Sequence, residues 1–300
     1  MGLVPEFHSD SISPWRRRAG VALWMAELQR QHFSSQARLS GGQGPSVSLT
    51  SYGDRIRTVH LTLESIAAGE LTPARTILWV SDEALRKKLP HNLKRLMKRG
   101  LEVRFTDDLG PHKKYFPYVM QERLERPLVT ADDDILYPRW WLSGLARAHA
   151  KRPQDVHAYR VHVAKLDAAG THFRPYEEWA TCTDTSPRRG HFSTGCSGVL
   201  FPPEVLTALR AAGRGFDGCC PWADDVWLNL HAQRARSFVA QVRAQSLRFS
   251  GILLTQKRGL FQRNIYGRGN DAALTATFTA SDIAALAACE DRDSVQRESA

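Results

Sequence analysis

Three hundred residues, 42% of them hydrophobic and 24% charged, suffice for one large α/β domain or two small ones with a buried core. No apolar run approaches the roughly 20 residues that span a bilayer. The formal net charge of +10, with a pI near 9.6, favours an acidic partner, whether nucleic acid, an anionic membrane surface or a phosphorylated small molecule, without choosing among them. The five cysteines are an odd number with no C-x-x-C pair. They argue against a disulfide framework or a zinc knuckle and fit reduced thiols in a cytosolic protein.

Residues 1–45 read as a leader. Trp15, Val21, Trp24, Met25 and Leu28 can share one helical face, and "SGGQGPS" (40–46) reads as a flexible linker. A helix packed on the main domain or a partly disordered leader is the plainer expectation; a basic interfacial helix touching anionic lipid is the alternative. Arg16, Arg17 and Arg18 precede an apolar stretch, but Glu27, Gln29 and Arg30 interrupt it, which argues against a secretory signal.

From Val47 strands and helices alternate. "VSLTSY" (47–52), "RTILWVS" (75–81), "LEVRF" (101–105) and "RPLVTA" (126–131) predict four strands. Between them, Ile56, Val59, Leu63 and Ile66 keep helical spacing, as do Leu85, Leu89, Leu93, Leu96 and Met97, with a break allowed at Pro90. This βαβαβ order predicts a mainly parallel sheet flanked by helices, with ligands beyond the carboxyl ends of its strands. Further on, 156–166 alternates as one strand, 170–195 reads as a polar and aromatic loop, 198–203 is a strand, and "PWADDVWLNLHAQRA" (221–235) is a helix with acids in its first turn. A main domain over 46–275 is expected, followed by a C-terminal helix and frayed tail over 276–300.

Three acids, Asp132, Asp133 and Asp134, follow the fourth strand. If the chain stays extended, Asp132 and Asp134 point to one side and can hold Mg²⁺ or Mn²⁺, while Asp133 points away; the same residues also suit an ordinary acidic turn. Asp224 and Asp225 either satisfy a helix dipole or supply a general base. Lys113 and Lys114 in "GPHKKYFP" are either solvated or set against a diphosphate. The histidines His112, His162, His172 and His191 have no ligand spacing and read as polar or core residues.

Taken together, "VSLTSYGDRI", "ILWVSDE", "GLEVRFTDDLGPHKKY", "PLVTADDDILYPRWW", "HAYRVH", "STGCSGVLFPP", "PWADDVWLNLHA" and "GRGND", in that order over roughly 46–272, resemble a bacterial glycosyltransferase family of the GT-A fold, family 2-like and containing the Asp-x-Asp motif. The resemblance implies a donor half and an acceptor half. It implies Asp134 as main metal ligand, Asp132 as metal or ribose contact, Asp133 as a lesser member of the donor site, and Thr50, Tyr52 and Asp82 near the nucleoside. It also places Gly195, Ser197, Gly198 and Trp222 on the sugar and acceptor pocket, and Asp225 with Asp224 as acceptor-side carboxylates. Many such enzymes add a C-terminal histidine to the metal. None follows His231 here, which leaves Asn270 or Asp271 for that place.

The expectation is therefore a metal-assisted transferase using Mn²⁺ or Mg²⁺. It would move sugar from a UDP- or GDP-sugar to a hydroxyl of a glycan or lipid-linked acceptor, in polysaccharide biosynthesis. It would act in the cytoplasm, with peripheral contact at an anionic inner membrane face, and no nucleic-acid partner is expected. The alternatives are a basic nucleic-acid-binding protein without catalysis and a non-catalytic sugar-binding fold-mate.

Overall fold

The computed structural model describes residues 14–253 and 269–288; Gly267 and Arg268 of "GRGND" and the tail expected to fray lie outside them. Among the described residues ten strands form: β1 (Ser46–Thr50), β2 (Thr76–Val80), β3 (Leu101–Phe105), β4 (Leu128–Ala131), β5 (Val156–Ala158), β6 (Val161–Val163), β7 (Ala180–Thr181), β8 (His191–Ser193), β9 (Val199–Phe201) and β10 (Val239–Gln241). Seven of them make one mixed sheet in the order β10-β5-β9-β4-β1-β2-β3. β1 pairs in parallel with both β2 and β4, and β2 with β3. Every residue of β2 and β4 is buried, as continuous apolar runs in a parallel sheet covered on both faces require. β3, at the edge, carries Glu102 and Arg104, whose charges discourage pairing with another chain. The α/β class, with a mainly parallel sheet, is as the sequence predicts.

β9 runs antiparallel between β4 and β5. The reversal brings the residues before β9 to the rim where β4 ends, since Thr130 faces Val199 across the ladder. Asp132 leaves that rim and the Gly195–Ser197 turn enters it.

The helices are α1 (Pro14–Ser34), α2 (Val59–Ala67), α3 (Glu83–Lys87), α4 (His91–Met97), α5 (Phe116–Gln121), α6 (Trp141–Lys151), α7 (Pro203–Ala212), α8 (Asp224–Arg234) and α9 (Gly269–Thr277). A further helical segment covers 280–288. α3 and α4 are separated around Pro90, where its fixed φ and missing N–H end the first helix. Ile56 belongs to a 3₁₀ turn, Gly53–Arg57, ahead of α2. That turn aims Arg55 at the end of β4.

Three expectations need correction. The 156–166 stretch is not one strand: it bends at Tyr159, whose buried hydroxyl donates to the Trp141 carbonyl at 2.8 Å. β5 consequently joins the large sheet, while β6 joins β7 and β8 in a small one. The 40–46 stretch is tied down: the N–H groups of Gly41, Gly42 and Gly44 donate to the carbonyls of Ala74, Pro73 and Thr72 at 2.9, 2.9 and 3.1 Å. On α1, Val21 and Leu28 are buried and Trp24 and Met25 half-buried, but Trp15 is 67% exposed. Burying a side chain of the Val or Leu class contributes about 1.5–3 kcal/mol, so this face seats α1 on α2.

A charged staple completes that contact. The Arg99 guanidinium donates to both Glu64 oxygens at 2.6 and 2.9 Å, and His32 Nδ1 lies 2.8 Å from Glu64 Oε1. All three residues are buried.

Candidate active site at the β1, β4 and α8 rim

The carboxyl ends of β1 and β4 open on a cavity lined by Thr50, Tyr52, Arg55, Asp108, Gly110, Pro111, Lys113, Lys114, Ala131, Asp132, Asp133 and Trp222. Residues far apart in the chain meet here because β1 and β4 are neighbours in register, Leu49 opposite Ala131. Thr50 donates through Oγ1 to the Trp79 carbonyl at 2.9 Å. Tyr52 stands 44% exposed with the Arg55 guanidinium over its ring, 5.4 Å from the centroid. Trp222, 40% exposed, lies against Gly110 and shares the cavity with the residues expected on the donor side.

The three acids are unequal in a way the sequence does not show. β4 ends at Ala131 and residues 133 and 134 turn, yet Asp134 still feels the charge of Asp132 more than that of Asp133. Asp133 and Asp134 also share Arg55, at 3.0 and 3.2 Å. Asp133, expected to matter least, accepts from the Ser51 hydroxyl at 2.6 Å and lines the cavity. Burial pushes its carboxyl up, against the pull of Arg55 and Ser51. Burial and the neighbouring Asp132 push Asp134 up to about 6. Asp132 stays at the rim, its backbone N–H donating to the Tyr137 hydroxyl at 2.8 Å.

Lys114 links this acid group to α8. Its ammonium donates to Asp132 Oδ1 at 3.1 Å and lies 3.0 Å from Asp224 Oδ2. Burial works against its charge, but Asp132, Asp224 and Asp225 outweigh that and hold its pKa well above the usual lysine range. Asp225 accepts from the Gly195 N–H at 3.0 Å. Burial first, then the charge of Asp224, push the Asp225 carboxyl up to about 7, with Lys114 and the Gly195 N–H pulling the other way. A carboxyl of that pKa can take and return a proton near neutral pH.

The turn before β9 fits around these groups. A Cβ on Gly195 would come within 3.1 Å of Asp225 Oδ1 and 3.3 Å of Lys114 Nζ. Gly198 has φ +85°, and a Cβ there would strike the Trp141 indole at 2.6 Å. Ser197 is fully buried and donates to the Leu247 carbonyl at 2.8 Å, so it braces the turn. Lys113 Nζ donates to the Ser81 hydroxyl at 2.9 Å and pairs with Asp108. Asp82 caps α3, accepting from the Ala84 N–H at 2.7 Å, and does not line the cavity.

The metal-ligand set implied by the resemblance does not assemble. Asp271 sits in the first turn of α9 and accepts from the Tyr176 N–H at 2.8 Å. Asp134 faces Arg55 and Asp132 faces Lys114. Among the described residues, the three potential ligands with atoms within 4.8 Å of one another are Cys182, Asp184 and His191. Mg²⁺ and Mn²⁺ ask for converging oxygen ligands; these acids already face protein cations, and the residues present do not fit a cation held by Asp132, Asp134 and Asp271.

Sequence reading missed Arg55, Ser51, Asp108 and Tyr137. Arg55 stood in "SYGDRI", but its acid partners lie nearly eighty positions on, beyond any local pattern.

No family model and no curated protein sequence matches the chain. Solved structures do share its path. Staphylococcus aureus TarS 1–349 aligns at 12% identity and TM-score 0.46, over 79% of this chain and 67% of that one. The mannosyltransferase PcManGT from Pyrobaculum calidifontis, in complex with GDP-Man and Mn²⁺, aligns at 13% and 0.47, over 92% and 87%. A 4-diphosphocytidyl-2C-methyl-D-erythritol synthase aligns at 12% and 0.42, over 72% and 94%. Identities this low speak to the fold alone, and no residue's role follows from TM-scores below 0.5.

Proposed function

We propose that the chain is a glycosyltransferase that takes sugar from a nucleotide-diphosphate donor of the UDP- or GDP-sugar type and passes it to a hydroxyl of a glycan or lipid-linked acceptor. The observation that carries this reading is the Lys114 bridge. One buried ammonium of the cavity wall joins the cavity acid Asp132 to the α8 acid pair, so a cavity cation and a base of pKa about 7 are neighbours.

The nucleoside lies along Thr50 and Tyr52, with Trp222 offering a ring to stack on. The diphosphate is met by Lys113, Lys114 and Arg55, each of which exchanges part of its contact with an aspartate for phosphate oxygens. The acceptor hydroxyl approaches Asp225, which the missing Cβ of Gly195 lets sit close to the turn. Its oxygen bonds to the anomeric carbon as the bond from that carbon to the phosphate oxygen breaks, and its proton passes to Asp225. The electron pair leaves on the nucleoside diphosphate, whose growing charge the cations stabilise. This single displacement inverts the anomeric centre. No step is routed through a metal.

The test is a thermal-shift screen of nucleoside diphosphates and their sugars, followed by a transfer assay on the donor that binds. A specific donor raises the melting temperature. A chain that none of them stabilises, with steep salt-dependent binding to DNA or RNA instead, is a nucleic-acid binder.

A further inference from the structure

Of the apolar face of α1 that the sequence singles out, all but Trp15 points inward, and a second apolar face lies outside. Trp15, Ala19, Ala22, Leu23, Ala26 and Phe33 are all exposed, Trp15, Leu23 and Phe33 by 67%, 60% and 65%. At 100° per residue they fall in one stripe, interrupted by the exposed Arg30, and Trp15 and Phe33, eighteen positions apart, point the same way about 27 Å from each other. The stripe lies opposite Val21, Leu28 and His32, which face the core. Apolar residues on both faces explain why this helix lacks the one-sided pattern of an ordinary surface helix.

The surroundings of the stripe are basic. Arg16 and Arg18 fall on its two flanks, and the first turn of α1 holds no acid. The Arg16 guanidinium lies over the Trp15 ring, 5.4 Å from its centroid. Glu27, the acid nearest the stripe, is matched by Arg30 at 2.7 and 2.8 Å. At the other end Arg95 of α4 donates to the carbonyls of His32 and Phe33, which seats α4 beside the end of α1. α4 and its cap add exposed Lys94, Met97 and Lys98, and the sequence from 84 to 100 contains no acid.

We propose that the outer face of α1, with the α4 lysines beside it, is a docking surface for an anionic lipid bilayer. Trp15, Leu23 and Phe33 enter the boundary between headgroups and acyl chains, and the arginines and lysines meet lipid phosphates. A second copy of the chain suits the face less well. Three large side chains fall short of the roughly 800 Å² per partner of a stable interface, and two chains of charge +10 repel. The inference does not rest on glycosyl transfer.

The test is flotation of the full chain with phosphatidylcholine vesicles, with and without phosphatidylglycerol. The chain is expected to float only with the phosphatidylglycerol vesicles and to be released by salt. Trp15→Ser, Leu23→Ser and Phe33→Ser combined should weaken binding by about tenfold or more, and so should Lys94→Glu with Lys98→Glu. Neither variant should change the thermal shift given by a nucleotide at the cavity, so failure here is separable from failure of the transferase reading. A wild-type chain that stays unbound on anionic vesicles would overturn the proposal. So would serine variants that bind as well as wild type, or a solution dimer that those variants dissolve.

Discussion

Two buried ionic clusters in this molecule resemble each other in composition and differ in balance. In the staple under α1, Glu64 is one carboxylate whose oxygens are matched by the Arg99 fork and by His32. At the rim, a single ammonium, Lys114, faces three carboxylates, Asp132, Asp224 and Asp225. The first cluster has no capacity left for a ligand and can only hold α1 to α2. The second carries negative charge that one cation does not neutralise, and this adds to burial in pushing Asp225 up to about 7. A saturated cluster is structural; an unbalanced one beside a cavity is available for chemistry.

The largest expected effect is at Asp225. Asp225→Asn keeps an acceptor for the Gly195 N–H but removes the base, and the transfer rate should fall by about 10²- to 10⁴-fold with the melting temperature held or raised. An Asp225→Asn protein that turned over at the wild-type rate would erase the distinction between the clusters. Arg99→Met has the opposite signature. It strands Glu64 and should cost about 3–5 kcal/mol of stability in denaturant titration, while the transfer rate per folded molecule stays within about twofold.

Lys114→Met lies between the two. Loss of charge-assisted contacts worth about 1.5–3 kcal/mol should weaken nucleoside-diphosphate binding about 10- to 100-fold by calorimetry, without restoring activity.

Protonation separates the clusters further. The base works unprotonated, so the rate should fall about tenfold per pH unit below about 7. The folded protein also binds protons more tightly at Asp225 and Asp134 than the unfolded chain does, whose carboxyls have their ordinary value of 3.8. Between about pH 4 and 7 the native state therefore holds more protons, and these two groups make stability fall as pH rises. Asp225→Asn should flatten that slope in pH-dependent denaturation; Glu64→Gln should leave the rate profile unchanged. The smallest effect is expected from chelation: because Asp271 lies on the Tyr176 N–H and no third ligand joins Asp132 and Asp134 among the described residues, donor binding with a chelator present should stay within about twofold. A tenfold loss would return a divalent cation to Asp132.

The sheet was legible because its strands are short apolar runs at regular spacing, and Pro90 announced its own break. The position of the acids at the end of β4 followed from the same pattern. What the sequence could not show was how residues beyond a strand end turn. Spacing alone set Asp133 apart from the other two acids, whereas Asp133 and Asp134 sit in a turn and share Arg55. Lys113 and Lys114 were noticed as neighbours, yet their partners differ: Ser81 and Asp108 for one, Asp132 and Asp224 for the other. Such pairings depend on which strands lie side by side, and spacing along the chain carries no record of that. The inner stripe of α1 was readable as helical periodicity, whereas the outer one, built of three alanines with Trp15, Leu23 and Phe33, was hidden in the same run.

The account is tested most directly by measuring release of nucleoside diphosphate from a panel of UDP- and GDP-sugars across pH, for the purified full chain and for Asp225→Asn. It predicts that a donor is turned over by the wild type with a rate that rises to a plateau above about pH 7, and that the folded variant is slower at every pH and lacks that limb. A variant as fast as the wild type with the same profile, or a wild type that turns over no donor in the panel, would contradict it.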